Sequence, residues 1–442
     1  MKNSDRRKYF GTDGIRGVYG EDLTDGLAML AGNSLGMSAD GGTVVVGRDT
    51  RASGVNLSRA LAEGVLSAAA NVVDLGVVTT PCVAYVTRAL GAASGVIISA
   101  SHNPPEYNGI KVFGADGRKL PEEGEAAVER HIAGAKLSYA GRRGELLPSQ
   151  GLTERYVDAV CRRTGRLDGL HVVLDCANGA AGRLAPEIFS RCGAAVTTVF
   201  ALDDGESINR GCGALHPDEA AAETVRRGAD LGLSFDGDAD RVIACDEKGR
   251  IVDGDRILYV LARALLGRGC LPRSSVVGTL HTNLGAEAAL KKSGITLVRT
   301  DIGDHNVTAR MCGEGFALGG EQSGHIILGD FLPTGDGVYA GAALAAVIRD
   351  SGKPLSELAD FPLFPQSNAD VVTDKKDLIA KDAELLSYTA AVEAMLGEGG
   401  RVMLRPSGTE PKLRIMAESK DPFLAAFAAR SIEMFVRTHF EP

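Results

Sequence analysis

The 442-residue sequence contains no apolar run near the roughly 20 residues needed to cross a bilayer, and Met1 to Phe10 is charged where an export leader is apolar. A cytoplasmic protein with no membrane contact is therefore expected. Neither Gly-x-x-x-x-Gly-Lys-[Ser/Thr] nor Gly-x-Gly-x-x-Gly occurs, which argues against the common nucleotide cradles, and His-Glu-x-x-His of zinc proteases is absent too. No Cys-x-x-Cys pair exists. The eight cysteines stand singly at 82, 161, 176, 192, 212, 245, 270 and 312 and read as small buried hydrophobes in a reducing compartment. The net charge of −9 comes from interspersed acids with no Lys/Arg stripe, which excludes nucleic acid and anionic membranes as partners. An anionic substrate must then meet locally placed cations.

The 56 glycines mark many tight turns and backbone-lined loops, and the chain is too long for one hydrophobic core. Three segments share one order of events. Each opens on a β-branched strand that runs through a Gly-containing loop into a helical stretch, at Thr43, His171 and Ser275. A second strand follows (Asn71 to Val78, Ala194 to Phe200, Ile295 to Thr300), then a third ending in a polar loop. The third strands run into Ala100-Ser-His-Asn-Pro, Asp236-Gly-Asp-Ala-Asp and Gly320-Glu-Gln-Ser-Gly-His, and a short fourth strand follows each. Strands alternating with helices predict mostly parallel, helix-covered sheets whose ligands gather beyond the carboxyl ends of strands. The three loops are candidates for one composite site.

Beyond Leu358 the pattern breaks. Asp360-Phe-Pro-Leu-Phe-Pro-Gln-Ser-Asn reads as an extended connector, followed by a small α+β domain: strand 370–373, helix 376–396, strand 401–404, loop, strand 413–417, and a last helix from Asp421-Pro422.

Each loop suggests a chemistry and admits a plainer reading. Ser101, between a buried-type strand and Pro104-Pro105, is placed as an exposed nucleophile with His102 and Lys111 near in sequence, yet the tetrapeptide alone is equally an ordinary serine turn. Asp236, Asp238 and Asp240 crowd like charge that a hard divalent cation would neutralise. A calcium loop of the EF-hand type is disfavoured, because Arg241 stands where that loop needs glycine and the flanks look like strands. Glu321, Gln322, Ser323 and His325 suit sugar hydroxyls or a solvated polar turn. Arg405-Pro-Ser-Gly-Thr-Glu-Pro-Lys-Leu-Arg414 offers amides, hydroxyls and guanidinium groups to a phosphate, or is a plain hairpin turn.

Five stretches in order, Phe10-Gly-Thr-Asp-Gly-Ile-Arg-Gly17, Ser99-Ala-Ser-His-Asn-Pro104, Asp236-Gly-Asp-Ala-Asp-Arg241, Gly319-Gly-Glu-Gln-Ser-Gly-His325 and Arg405-Pro-Ser-Gly-Thr-Glu-Pro411, resemble those of the α-D-phosphohexomutases, and most of all the branch acting on glucosamine phosphate. The resemblance covers nearly the whole chain. It implies three similar mixed-sheet α/β domains (1–150 with a phosphoserine loop, 151–250 with a metal loop, 251–362 with a sugar loop) and a smaller C-terminal α+β domain (363–442) around a central cleft. Ser101 would carry the phosphoryl group and, with Asp236, Asp238 and Asp240, hold one Mg²⁺ per subunit. His102, Lys111, Arg241 and Arg16 would surround the transferring group, with Lys111 a candidate acid/base. Glu321, Ser323 and His325 would hold the sugar; Arg405, Ser407, Gly408, Thr409 and Arg414 would grip the non-reacting phosphate. A hexose 1,6-bisphosphate such as that of glucosamine would be activator and intermediate, a phosphoryl donor would first charge Ser101, and a homodimer is the assembly common in the family. Glucose or mannose phosphates, or sugar-phosphate binding without turnover, are the rival functions. Three departures stand out: Asp301-Ile-Gly-Asp-His305 where a Lys and an Arg often flank Val-Gly-Asp, Cys212-Gly-Ala-Leu-His-Pro217 where hydroxyl residues are usual, and Ala239 in place of a common glycine.

Overall fold

The computed structural model describes residues 9–11, 14–397, 399–407 and 410–440. The chain divides into two compact units, Met1–His281 with Ser293–Asp360, and Thr282–Lys292 with Phe361–Pro442.

The first unit contains three mixed sheets with one recurring core. In the seven-stranded sheet, Thr43–Arg48 lies between Asn71–Val77 and Ser94–Ile98, all parallel, and Tyr107–Gly114 returns antiparallel beside Ser94–Ile98. In the five-stranded sheet, His171–Asp175 lies parallel between Ala195–Val199 and Leu231–Phe235, with Val242–Asp246 returning antiparallel. In the four-stranded sheet, Ser275–Thr279 lies parallel between Thr296–Thr300 and Leu318–Gly320, with Ile326–Leu328 returning. The order of events in the sequence is thus the order of the sheets. Val44, Val45 and Val46 are buried on both faces of their strand, which is why a continuous apolar run forms it.

Helices cover these sheets by burying one stripe each. Asp25–Ala39 starts at Thr24, whose hydroxyl accepts the Leu27 amide, and packs on Gly54–Ser67. Glycine sets that crossing: a Cβ at Gly32 would lie 2.0 Å from the Leu61 carbonyl oxygen, and one at Gly64 2.0 Å from that of Met29. Close approach lets Leu57, Leu61 and Val65 reach full burial, worth about 1.5–3 kcal/mol each.

The second unit is built on a three-stranded antiparallel sheet in the order Gln366–Val372, Lys412–Glu418, Arg401–Pro406. Pro422–Phe440 and Ala383–Met395 pack their apolar sides on it, around Leu385, Leu413, Ile415 and Ile432. Leu284–Lys292 belongs to this unit, its Leu284 amide donating to the buried Glu418 carboxylate. Two expectations are corrected here. Residues 376–396 are two helices, Lys376–Ile379 and Ala383–Met395, because the Asp382 side chain accepts the Glu384 and Leu385 amides and starts a new helix. Gln366-Ser-Asn, read as connector, already pairs with Glu418, Ala417 and Met416. The cysteines are all free; Cys82, Cys176, Cys192, Cys212 and Cys245 are buried as expected, whereas Cys270 is exposed and Cys161 and Cys312 are half-buried.

Candidate functional site

In each sheet of the first unit the loop between the third strand and its return strand leaves the same end; two of the three supply a single cluster of charge, and the third backs it through His325. Ser101 follows Ser94–Ile98 in a left-handed conformation, φ +53°, with its hydroxyl donating to Asp236 Oδ2 at 2.6 Å and lying 3.2 Å from His102 Nδ1. A non-glycine residue there costs about 1 kcal/mol and persists only where its surroundings fix it. Asp236, Asp238 and Asp240 follow Leu231–Phe235; all three are buried, with ligand atoms within 4.8 Å of one another. Lys111 comes from the return strand of the first sheet, 1% exposed, its Nζ 2.9 Å from Asp238 Oδ2 and 3.1 Å from Asp240 Oδ2. Thr80, which sequence reasoning missed, donates its hydroxyl to Asp238 Oδ2 at 2.6 Å from the start of helix Thr80–Leu90. No local motif marks it.

The electrostatics follow from burial. Desolvation first, then the charges of Asp240 and Asp238, push Asp236 well above the ordinary carboxylate range. Burial would raise Asp240 as well, but Lys111, His325 and Arg241 outweigh it and hold the carboxyl well below. Burial, reinforced by the Arg241 and Arg16 guanidiniums, lowers His102 to about 4, so its imidazole is neutral near pH 7. Asp238 Oδ1 and Asp240 Oδ1 are buried without a hydrogen-bond partner. Orphaned carboxylate oxygens on a crowded acidic cluster fit a hard divalent cation, with the Ser101 oxygen as a further ligand.

Arg241 and Arg16 flank the cluster: the Arg241 amide donates to Asp236 Oδ1 at 3.1 Å, and Arg16 Nη1 to Asn103 Oδ1 at 3.2 Å. Ala239 takes φ +56°, a left-handed conformation that glycine adopts without strain.

In the third loop Ser323 is exposed and Glu321 half-buried, with Glu321 Oε1 accepting the Gly303 amide at 3.1 Å. His325 differs from its expected place among sugar ligands. It is 3% exposed, its Nε2 accepts the Gly335 amide, and its Nδ1 faces Asp240 Oδ1 at 3.9 Å, so it backs the acidic cluster. The departure at 301–305 resolves into two halves. Gly303 and Asp304 do the internal bonding, Asp304 pairing with Lys119 at 2.6 Å, while Asp301 and His305 are exposed.

In the second unit Arg405 and Arg414 stand directly opposite each other on adjacent strands, and Arg414 bonds Glu410 at 2.6 Å. Ser407 is buried with its hydroxyl accepting the Glu410 amide. Lys376, also missed from sequence, donates its buried ammonium to the carbonyls of Ser407 and Glu410. Gly408 and Thr409 lie outside the described residues.

Four successive segments match the phosphoglucomutase/phosphomannomutase family: residues 7–138 its alpha/beta/alpha domain I, 154–249 domain II, 253–363 domain III and 368–430 its C-terminal domain. The phosphoglucosamine mutase of Pelotomaculum thermopropionicum is 45% identical, covering 93% of this chain and 95% of its own. That of Moorella thermoacetica is 46% identical over 94% and 96%, and that of Symbiobacterium thermophilum 44% over 98% and 100%. Among solved structures, a phosphoglucomutase/phosphomannomutase family protein from Burkholderia thailandensis superposes with a TM-score of 0.83 at 25% identity, covering 97% of this chain and 96% of that one. Aspergillus fumigatus N-acetylphosphoglucosamine mutase, in complex with GlcNAc-6P and magnesium, shares the fold with a TM-score of 0.69 at 20% identity, covering 98% and 96%.

Proposed function

The chain belongs to the phosphoglucomutase/phosphomannomutase family, and from that membership we propose that it is a mutase, of the isomerase class, interconverting glucosamine 6-phosphate and glucosamine 1-phosphate through a phosphorylated Ser101. The observation that carries the reading is the 2.6 Å bond from the Ser101 hydroxyl to Asp236 within a buried carboxylate triad. The sugar assignment rests on relatives 44–46% identical over nearly the full chain and named phosphoglucosamine mutase.

Phosphoryl transfer is largely positioning and charge neutralisation. In the forward direction the bond between Ser101 Oγ and phosphorus breaks, the 1-hydroxyl of glucosamine 6-phosphate forms the new one, and the displaced hydroxyl proton passes to a base that returns a proton to the departing Ser101 Oγ, leaving a neutral serine hydroxyl. The neutral His102 imidazole, 3.2 Å from Ser101 Oγ, is the accepting group we assign. Lys111 offsets two carboxylates, and Arg16 and Arg241 meet the roughly −1.5 to −2 charge of a phosphoserine. Asp236, Asp238, Asp240 and Ser101 would hold Mg²⁺, which supplies the remaining neutralisation of carboxylate and phosphate charge. The 1,6-bisphosphate then reverses its ends, and Ser101 recovers the 6-phosphoryl group. Glu321 and Ser323 hold sugar hydroxyls, and Arg405, Ser407, Gly408, Thr409 and Arg414 take the non-reacting phosphate. We further propose four domains at 1–150, 151–250, 251–362 and 363–442, a homodimer, a cytoplasmic location, and priming of Ser101 by a hexose bisphosphate or another phosphoryl donor. Among the described residues no helix is long and apolar enough to cross a membrane.

Intact mass of the protein before and after incubation with glucosamine 1,6-bisphosphate and Mg²⁺, beside Ser101→Ala, tests this. A phosphate-sized gain on the wild type alone, discharged by glucosamine 6-phosphate, is expected. Turnover by Ser101→Ala would end the phosphoserine reading, and faster use of mannose 6-phosphate or glucose 6-phosphate would end the glucosamine one.

A further inference from the structure

Arg51 is among the largest fully buried side chains of the molecule, 0% exposed, and is not part of the acidic cluster. A guanidinium has five N–H donors, and all of Arg51's are in use. Its Nε bonds Asp49 at 2.9 Å; Nη1 reaches the carbonyls of Pro104 and of Tyr107 (2.8 Å); Nη2 reaches those of Ser101 (3.0 Å) and Asn103 (2.7 Å). Three carbonyls of one loop and that of Tyr107, which opens the return strand, thus converge on one cation. Asp49 relays the restraint to the nucleophile itself: its Oδ2 accepts the Ser99 hydroxyl at 2.7 Å, and Ser99 Oγ accepts the Ser101 amide at 2.9 Å.

A second donor comes from a different sheet's domain. Asn209, in the segment between Ala195–Val199 and Asp218–Arg227, is held at φ +60° and donates its Nδ2 to the same two carbonyls, Ser101 at 2.8 Å and Asn103 at 3.0 Å. Each of those oxygens therefore has a donor from Arg51 and one from Asn209, enough for both lone pairs.

We propose that Arg51 and Asn209 are positioning residues for phosphoryl transfer, which clamp the backbone of the Ser101 loop so that its carbonyls face inward and its hydroxyl faces Asp236. The inference rests on Ser101 being the group that carries the phosphoryl. Two physical needs converge on the clamp. Ser101 is held in a left-handed conformation that its own backbone disfavours, and such strain survives only where several bonds over-determine it. Carbonyl oxygens left pointing at a phosphoserine would repel it, whereas carbonyls drawn onto a guanidinium and an amide do not. Because Asn209 belongs to the metal-loop side of the unit, the clamp also sets the register between Ser101 and the Asp236 loop: a Cβ at Gly237 would lie 2.6 Å from the Ser101 carbonyl oxygen.

The test uses full-length Asn209→Ala, Arg51→Lys and Arg51→Ala. For Asn209→Ala, whose half-exposed side chain can be lost without emptying a core, kcat is expected to fall about 10- to 100-fold, the order that a misplacement near 1 Å produces, with KM changed less than about threefold and melting within a few degrees of wild type. Arg51→Lys keeps the charge but not the fork of donors, and is expected to lose kcat at least as severely. Millimolar guanidinium added to Arg51→Ala should restore part of the rate. Hydrogen exchange of the peptide spanning 99–107 should quicken in Asn209→Ala whether or not the protein turns over. Unchanged exchange and unchanged kcat in Asn209→Ala would overturn the clamp, and so would a loss confined to KM or matched by unfolding. A wild type that accepts no phosphate from a hexose bisphosphate would instead defeat the proposed reaction, while the exchange measurement still decides the clamp.

Discussion

Lys111, on the return strand of the first sheet, places one ammonium between two carboxylates of the second sheet's loop, 2.9 Å from Asp238 and 3.1 Å from Asp240. That ammonium bonds the two Oδ2 atoms and offsets the same negative charge that a divalent cation would meet at the Oδ1 atoms. Lys111→Met is therefore expected to do two opposite things: slow turnover by about 100-fold or more through lost charge compensation, and tighten Mg²⁺ binding measured by calorimetric titration. Weaker binding in the variant would mean that Lys111 supports the cation site instead of competing with it.

The orphaned Oδ1 atoms of Asp238 and Asp240 make a separate claim about the same cluster. Chelation should abolish turnover, and added Mg²⁺ should restore it. Mg²⁺ should also raise the melting temperature of the wild type, since it relieves repulsion present only in the folded state. In Asp238→Asn that rise should shrink and the Mg²⁺ needed for half-maximal rate should increase about 10-fold or more. A melting temperature indifferent to Mg²⁺ in the wild type would argue against metal at these residues.

Much of this arrangement is legible in the sequence because short motifs report it directly. Asp236-Gly-Asp-Ala-Asp240 announces crowded charge, and a strand, loop and return strand repeated three times announces equivalent loops. The residues that hold those loops are harder to read. Arg51, Asn209, Thr80 and Lys376 act through single side chains reaching distant backbone or carboxylate atoms, and nothing in their immediate neighbours distinguishes them from ordinary polar residues. The place of His325 is hard to read for a related reason. An imidazole in a polar loop suits a sugar, and only the fold shows that it turns inward to Asp240. The helix break before Ala383 is not visible in the sequence because Asp382 decides it through its side chain, against an otherwise helical pattern.

The crossing of Asp25–Ala39 on Gly54–Ser67 depends on backbones in direct contact, and this gives a stability prediction remote from the chemistry. Gly32→Ala would gain helix propensity of up to about 1 kcal/mol, yet its methyl would fall 2.0 Å from the Leu61 carbonyl oxygen, which cannot yield without separating the helices. A net loss of about 1–3 kcal/mol is expected in denaturant unfolding, with kcat per folded molecule unchanged. A stabilised Gly32→Ala would show that the helices are free to move apart.

Asp336 supplies a pH test away from the acidic cluster. It is 3% exposed, accepts the Tyr156 hydroxyl at 3.0 Å and the Tyr339 amide at 2.9 Å, and caps the helix Gly337–Ser351. Burial pushes its carboxyl up to about 7, against the opposing hydrogen bonds from Tyr339, Tyr156 and Val338. Because the folded value lies above the unfolded value near 4, the folded state holds the extra proton, and this contribution to stability is complete below pH 4 and lost as pH rises through 7. Asp336→Asn imitates the neutral acid in shape and in its carbonyl acceptor. The variant should be no more stable than wild type at pH 5, should gain on it as pH rises toward 7, and the gap should level off above about pH 8. Thermal unfolding of both proteins across that range reads the difference directly, which cancels other titrating groups such as Asp175, raised by burial to about 6. A gap that stays constant with pH would mean that Asp336 keeps one protonation state throughout, and that its bonds to Tyr156 and Tyr339 outweigh the cost of burying its charge.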